Sequence, residues 1–173
     1  MIKHQIIENF LPQEDFDKLQ NAIVWDKYLH WQLHKGCCMK GDDEKAGSLW
    51  HWYGSHLVYG EGEKGSKLFP LVNDLVIQPL IKKGVINQLI RSKCNFYPAW
   101  SEVKEHVDHI DYPFNHSALL IGLNTCDGFT RLSEDTIIES VANRAVIFNG
   151  SVPHNPTNCT NAAGRFNINI NYI

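Results

Sequence analysis

Residues 106–111 hold two His-x-Asp pairs in tandem, His106-Val107-Asp108 and His109-Ile110-Asp111. On extended backbone, residues two apart project to the same side. Either pair can therefore offer one imidazole and one carboxylate to a single point. A further imidazole follows at His154, after the apolar run 145–148 and the turn Asn149-Gly150-Ser151. Two imidazoles and a carboxylate on one face of a metal form the facial set that suits Fe(II), with the opposite face open to oxygen and a chelating partner. Arg165 comes eleven residues after His154, and its rigid fork of donors matches a carboxylate with two parallel hydrogen bonds. One His-x-Asp alone means little in a chain with nine histidines; the argument rests on the ordered set. The competing reading from another class is a non-catalytic jelly-roll binding or structural module whose histidines hold Zn(II) or nothing.

Such donors must be aimed by strands, and the pattern after residue 84 supplies them. Short strands are predicted over 85–97, 117–124, 130–132, 136–141, 145–148 and 165–172, with turn chemistry at Cys126-Asp127-Gly128 and Asn149-Gly150-Ser151. In the last strand, alternation puts Phe166, Ile168, Ile170 and Tyr172 on one face and Arg165, Asn167, Asn169 and Asn171 on the other. A solvent face would mix Lys, Glu and Thr. Three amides and one cation fit a polar barrel interior, and a solvated face is the alternative for this strand taken alone.

Before residue 84 the pattern is helical. One helix is predicted over 12–24, with Phe16, Leu19, Ala22 and Ile23 sharing a face. A second is predicted over 65–83, with Leu68, Leu71, Leu75 and Leu80 inward, its ends blurred by Pro70 and Pro79. Residues 25–59 read as short β-like pieces rich in aromatics and histidine. Helices first and strands afterwards predict an α+β fold, mainly β: a sandwich or barrel with helices packed on one sheet.

The chain has 173 residues, 43% of them hydrophobic, with no internal repeat or linker. That predicts a single domain over 1–173, helical to about residue 84 and β from about 85. A net charge of −3 and the lack of a basic, aromatic stretch argue against a nucleic-acid partner. No segment is apolar enough to span a bilayer, and acids interrupt the opening residues where an export signal needs an apolar run, so a cytoplasmic location away from membranes is expected. Five cysteines without a Cys-x-x-Cys predict reduced thiols rather than a disulfide framework or zinc finger. Nothing in the pattern sets an oligomeric state.

The segment EHVDHIDYPFNHSALLIGLNTCDGFT, followed by IESVANRAVIFNGSVPHNPTNCTNAAGRFNININ, resembles the Fe(II)/2-oxoglutarate-dependent dioxygenases. Within them it is most similar to the small stand-alone prolyl-4-hydroxylase-like proteins of bacteria and phages. Residues 95–172 carry the resemblance, and IIENFLPQEDF is similar to that family's opening strand and helix. The resemblance implies a double-stranded β-helix with Fe(II) in the barrel mouth, 2-oxoglutarate as cosubstrate, O2 as oxidant and ascorbate as a supporting reductant. It sets His109, Asp111 and His154 at the metal-ligand positions and Arg165 where 2-oxoglutarate's far carboxylate is clamped. Tyr97 matches the hydroxyl partner of that carboxylate, and Asn95 shares its face.

The interval after Tyr97-Pro98 suits His106 better than His109, so the register His106/Asp108 stays open at this point. In the favoured register His106 and Asp108 stand behind or beside the ligands, with Asp108 orienting a ligand imidazole. Related halogenases carry a small residue where Asp111 stands, so hydroxylation is implied. The implied substrate is a prolyl or similar residue of a peptide or protein; a free amino acid, nucleobase or small metabolite is the alternative. Residues 50–56 (WHWYGSH) and 101–106 are candidate rim segments, 41–47 reads as a solvated loop, and at least half of the five tryptophans are expected in the core.

Overall fold

A computed structural model describes residues 3–35, 51–60 and 63–173. The candidate solvated loop 41–47, Trp50, Cys37 and Cys38 lie outside them. Eleven strands are described: β1 (His4–Ile7), β2 (Gln32–His34), β3 (Tyr53–Gly60), β4 (Glu63–Lys64), β5 (Leu89–Pro98), β6 (Ser117–Gly122), β7 (Phe129–Ser133), β8 (Thr136–Glu139), β9 (Ala145–Asn149), β10 (Asn155–Pro156) and β11 (Gly164–Tyr172). They form a large sheet in the order β1-β9-β6-β11-β5-β3-β2, with β4 on β3, and a small sheet in the order β10-β7-β8. Residues 105–109 run beside β10 through the bridges Glu105–Thr157 and His109–His154.

From β5 onward the chain shuttles between the two sheets: β5 large, 105–109 small, β6 large, the β7–β8 hairpin small, β9 large, β10 small, β11 large. That alternation is a double-stranded β-helix. It buries one face of the large sheet against the helices and the other inside the barrel. The segment before residue 84, read from sequence as helical with β-like pieces, supplies β1 to β4 as well, and β3 lies directly against β5.

The helical layer covers the outer face of the large sheet. Helix α1 (Gln13–Gln20) continues into a wide π-turn over Asn21–Trp25; Glu14 and Asp15 occupy its positive first turn. A second stack runs α2 (Phe69–Val72), a π-turn (Asn73–Ile77) and α3 (Gln78–Lys82). Pro79 lacks the N–H an unbroken helix would need, and it falls in the first turn after the π-turn, where that donor is not required. Phe16, Leu19, Ile23, Val72, Val76 and Ile77 pack on Leu119, Ile121, Ile168 and Ile170 in one apolar cluster. Each such side chain contributes roughly 1.5–3 kcal/mol on burial. Among the described residues no helix is long and apolar enough to cross a membrane.

Asn143 ties the N-terminal segment to this body. It adopts a left-handed conformation at φ 60, which asparagine tolerates. Its side chain accepts from the Leu11 N–H at 2.9 Å and donates to the Leu11 carbonyl at 2.8 Å. Of the tryptophans described, Trp31 packs against Phe96 and Phe166, whereas Trp25 is 70% exposed, so the expectation of core roles does not extend to it.

Candidate metal centre

The polar side of β11 faces the barrel. Arg165, Asn167, Asn169 and Asn171 are all buried, which decides between interior and solvated face in favour of the interior. Strand β5 lies antiparallel beside it with Tyr97 opposite Arg165, Asn95 opposite Asn167, Lys93 opposite Asn169 and Arg91 opposite Asn171. These four rungs form a polar floor. The inward face of β5 thus adds Arg91 and Lys93 to the residues anticipated from sequence.

The second wall comes from residues 105–111 and 149–157. The Asp111 N–H donates to the Gly150 carbonyl at 3.0 Å. His109 and His154 form a rung, and the His106 N–H donates to the Pro156 carbonyl at 2.9 Å. On this ladder the donor atoms of His109, Asp111 and His154 all lie within 4.8 Å of one another. His106 and Asp108 are outside that cluster. His106 is buried, stacked on His51 at a centroid distance of 5.0 Å and tilted against Tyr97 at 5.3 Å. Asp108 accepts from Asn155 at 2.8 Å. The group that meets the far nitrogen of His154 is a backbone carbonyl: Nδ1 lies 2.9 Å from the Val152 oxygen, so Nδ1 carries the proton and Nε2 keeps a lone pair facing the cluster. At His154 the contact on the far nitrogen is thus made by Val152.

Burial depresses both imidazoles. His109 is pushed down to about 4 by burial and by the neighbouring His154, against the opposing pull of Asp111. His154 moves down for the same leading reason. Burial alone would raise the Asp111 carboxyl, but Arg91, Lys93, His154 and the Asn171 hydrogen bond outweigh it and hold the group well below the usual carboxylate range. At neutral pH the cluster is two neutral imidazoles and one carboxylate, the protonation state that a metal requires.

The Asp111 carboxylate is fixed at both oxygens. Oδ1 accepts from Arg91 Nη2 at 2.7 Å; Oδ2 accepts from Asn171 at 2.9 Å and from Asn169 at 3.4 Å. Oδ2 is also the oxygen that stands 3.9 Å from His154 Nε2.

A hollow beside His109 and His154 is lined by Lys93, Asn95, Tyr97 and Thr130, among others, with Leu120 and Phe148 as its apolar wall. Phe148 also meets His154 edge-on at 5.0 Å. Arg165, 2% exposed, lines an adjoining hollow that shares Leu120 and Asn167. Its guanidinium donates to Thr130 Oγ1 at 2.5 Å, to the Thr157 carbonyl at 3.2 Å and to Ser140 Oγ at 3.3 Å, and its carbon is 5.5 Å from the Tyr97 ring centre. Gly128 makes room for it: a β-carbon there would stand 2.9 Å from Arg165 Cδ and 2.4 Å from the Asn158 oxygen. Asn95 donates to Asn167 at 2.9 Å, part of the floor.

Sequence reasoning missed Arg91, Lys93, Thr130 and Asn171 as site residues. Period-two alternation in 91–97, matched to that of 165–171, was the available signal for the first two. Thr130 closes the LNTCDGFT turn and has no such signal.

Neither a protein-family model nor a curated protein sequence matches the chain. Solved structures do share its fold. A prolyl hydroxylase from Trichoplax adhaerens, in complex with a hypoxia inducible factor oxygen degradation domain peptide fragment, matches at a TM-score of 0.65 and 19% identity, over 98% of this chain and 83% of that one. The viral collagen prolyl hydroxylase of Paramecium Bursaria Chlorella virus-1, as its 2-oxoglutarate complex, matches at 0.60 and 12% over 98% and 96%. HygX from Streptomyces hygroscopicus, with nickel, 2-oxoglutarate and hygromycin B bound, matches at 0.60 and 10% over 98% and 82%. At these identities the common property is the double-stranded β-helix itself.

Proposed function

We propose that the chain is a non-haem Fe(II)- and 2-oxoglutarate-dependent dioxygenase that hydroxylates a C–H bond, with His109, Asp111 and His154 as the metal ligands. The observation that carries this reading is the meeting of two neutral imidazoles and one carboxylate within 4.8 Å, beside a hollow lined by Thr130, the residue to which the buried Arg165 donates. The donor set fits Fe(II): three ligands on one side, mixed nitrogen and oxygen, with room on the other. When bound there, iron and 2-oxoglutarate supply an oxidative decarboxylation in which one oxygen atom of O2 ends in succinate and the other in the substrate's new hydroxyl.

The chain's own residues hold and orient. His154 presents Nε2 because Val152 fixes its tautomer. Arg165 and the Thr130 hydroxyl face the position for the far carboxylate of 2-oxoglutarate, with Tyr97 on the neighbouring strand as its further partner and Asn95 supporting the floor. Leu120 and Phe148 keep water away from the reacting face. His106 backs Tyr97 rather than the metal.

For the substrate, a prolyl or similar residue of a peptide or protein is the reading that the fold-level likeness to prolyl hydroxylases supports. A small metabolite is the second reading. It is favoured by the cation Lys93 lining the hollow next to the metal ligands, which suits a compact anionic substrate, and by the likeness to HygX.

The test is direct. Purified protein with Fe(II), ascorbate and 2-oxoglutarate is assayed for succinate, and prolyl peptides and amino acids are screened by mass for a gain of one oxygen. Succinate at background levels, unchanged by His109→Ala, would sink the enzyme reading and leave the non-catalytic jelly-roll module.

A further inference from the structure

Arg91 belongs to neither the ligand set nor the cosubstrate pocket, yet it makes the shortest described polar contact to Asp111. Its Nη2 donates to Asp111 Oδ1 at 2.7 Å and to Asn171 Oδ1 at 2.9 Å, and its carbon lies 5.1 Å from the centre of the Tyr112 ring. Register places it there: it stands opposite Asn171 on the floor, one inward position beyond Lys93. The two oxygens of Asp111 are thus held by unequal donors. Oδ1 has a cation; Oδ2 has two neutral amides, one of them at 3.4 Å. A charge-assisted hydrogen bond is roughly twice as strong as a neutral one. A metal approaching the cluster gives up less by taking Oδ2, the oxygen already nearest His154 Nε2.

We propose that Arg91 is a positioning residue that restricts Asp111 to one-oxygen coordination through Oδ2. The consequence is a count of positions. If His109, Asp111 and His154 each gave one atom to a six-coordinate ion, three positions would remain, enough for a chelating 2-oxo acid and O2. A two-oxygen grip by Asp111 would take one of these. Holding Oδ1 on Arg91 Nη2 would keep it free.

The inference rests on the metal-centre reading above, and its test separates the two. Co(II) is titrated anaerobically into wild type, Arg91→Met, Arg91→Lys and His109→Ala. 2-Oxoglutarate is then titrated calorimetrically into the Co(II)-loaded forms, and infrared difference spectra record the splitting of the carboxylate stretches. That splitting is wide for one-oxygen and narrow for two-oxygen coordination.

Arg91→Met keeps a stem over Tyr112 but no donor; Arg91→Lys keeps a cation. The expected result is one Co(II) per chain in wild type and a wide splitting. Arg91→Met should show a narrowed splitting and a 2-oxoglutarate affinity lowered by about 10–100-fold, the usual scale for residues behind a metal ligand. Arg91→Lys should recover most of it. Loss of Co(II) altogether in Arg91→Met, at unchanged melting temperature and with recovery in Arg91→Lys, also supports the role, because the ligand is then not posed at all. Wild-type splitting and affinity in Arg91→Met would overturn the proposal while leaving the metal centre standing. Co(II) binding in wild type that His109→Ala does not alter would overturn both.

Discussion

His109 and His154 exchange both backbone hydrogen bonds with each other, at 2.9 and 3.0 Å, so the two imidazoles rise side by side from one antiparallel rung with their centroids 4.5 Å apart. The rung sets the separation of their α-carbons, and the Val152 carbonyl meets the His154 ring. His109→Ala, Asp111→Ala and His154→Ala should each lower 2-oxoglutarate turnover by more than the about 10–100-fold typical of residues behind a ligand, whereas His106→Ala should stay within about tenfold. Succinate release and Co(II) stoichiometry measured on all four variants check this. A His106 variant that loses metal while His109→Ala keeps it would move the centre three residues back.

Arg165 is buried and donates to the Thr130 and Ser140 hydroxyls and the Thr157 carbonyl. Arg165→Gln removes the cation while keeping an amide donor. Charge-assisted hydrogen bonds contribute about 1.5–3 kcal/mol, so the apparent KM for 2-oxoglutarate should rise about ten- to a hundredfold, and Co(II) should still bind one per chain. An unchanged KM would assign the anchor to another cation, with Lys93 the first to try.

Gly128 is a packing test of the same pocket. A β-carbon at that position meets the Asn158 oxygen and Arg165 Cδ at distances no real pair adopts without movement. Gly128→Ala should cost about 1–3 kcal/mol of stability, as overpacking does, and raise the 2-oxoglutarate KM by displacing Arg165. A melting curve and a KM determination on the same preparation distinguish this from a site unaffected by the substitution.

Acid should destabilise the metal-free protein through the buried imidazoles. His109 is held at about 4 against an ordinary 6.5, so between those values the unfolded chain binds more protons than the folded one. Stability is therefore fully present above about pH 6.5 and falls as pH drops towards 4. The loss reaches at most about 3 kcal/mol for this group, and His154 adds in the same direction. Urea denaturation at pH 7 and pH 4.5 should show the decrease, and His109→Gln should flatten it.

The interior-facing row on β11 was legible in the sequence because alternation is a local property: Ile168 and Ile170 had to face one way, and the asparagines followed. The ordered His-x-Asp, His, Arg set was legible for the same reason, each member lying at a strand or turn with its own signal. The register within 106–111 was not. Both His-x-Asp pairs obey the same alternation, and it is the rung between His109 and His154, on neighbouring segments far apart in sequence, that sets them apart in the fold. Arg91 was hidden for a related reason. Its partners Asp111 and Asn171 are twenty and eighty residues away, so nothing beside it in the chain announces them. The two-residue strand β10 and the edge strand β2 are too short for any periodicity to show.

The rung between His109 and His154 has a kinetic side as well. It lies on the continuation of the β6–β9 pairing, beyond Ser117–Asn149 and the Asp111–Gly150 hydrogen bond. The ligand pocket is the open end of a zipper whose teeth grow farther apart in sequence towards it, and long-range pairing of that kind is closed late. A metal ion arriving early in refolding finds no site, so it should leave the folding rate alone and slow only unfolding. Metal uptake, on the proposed reading, would then register that the barrel has closed: an unfinished or misregistered chain would hold no ion.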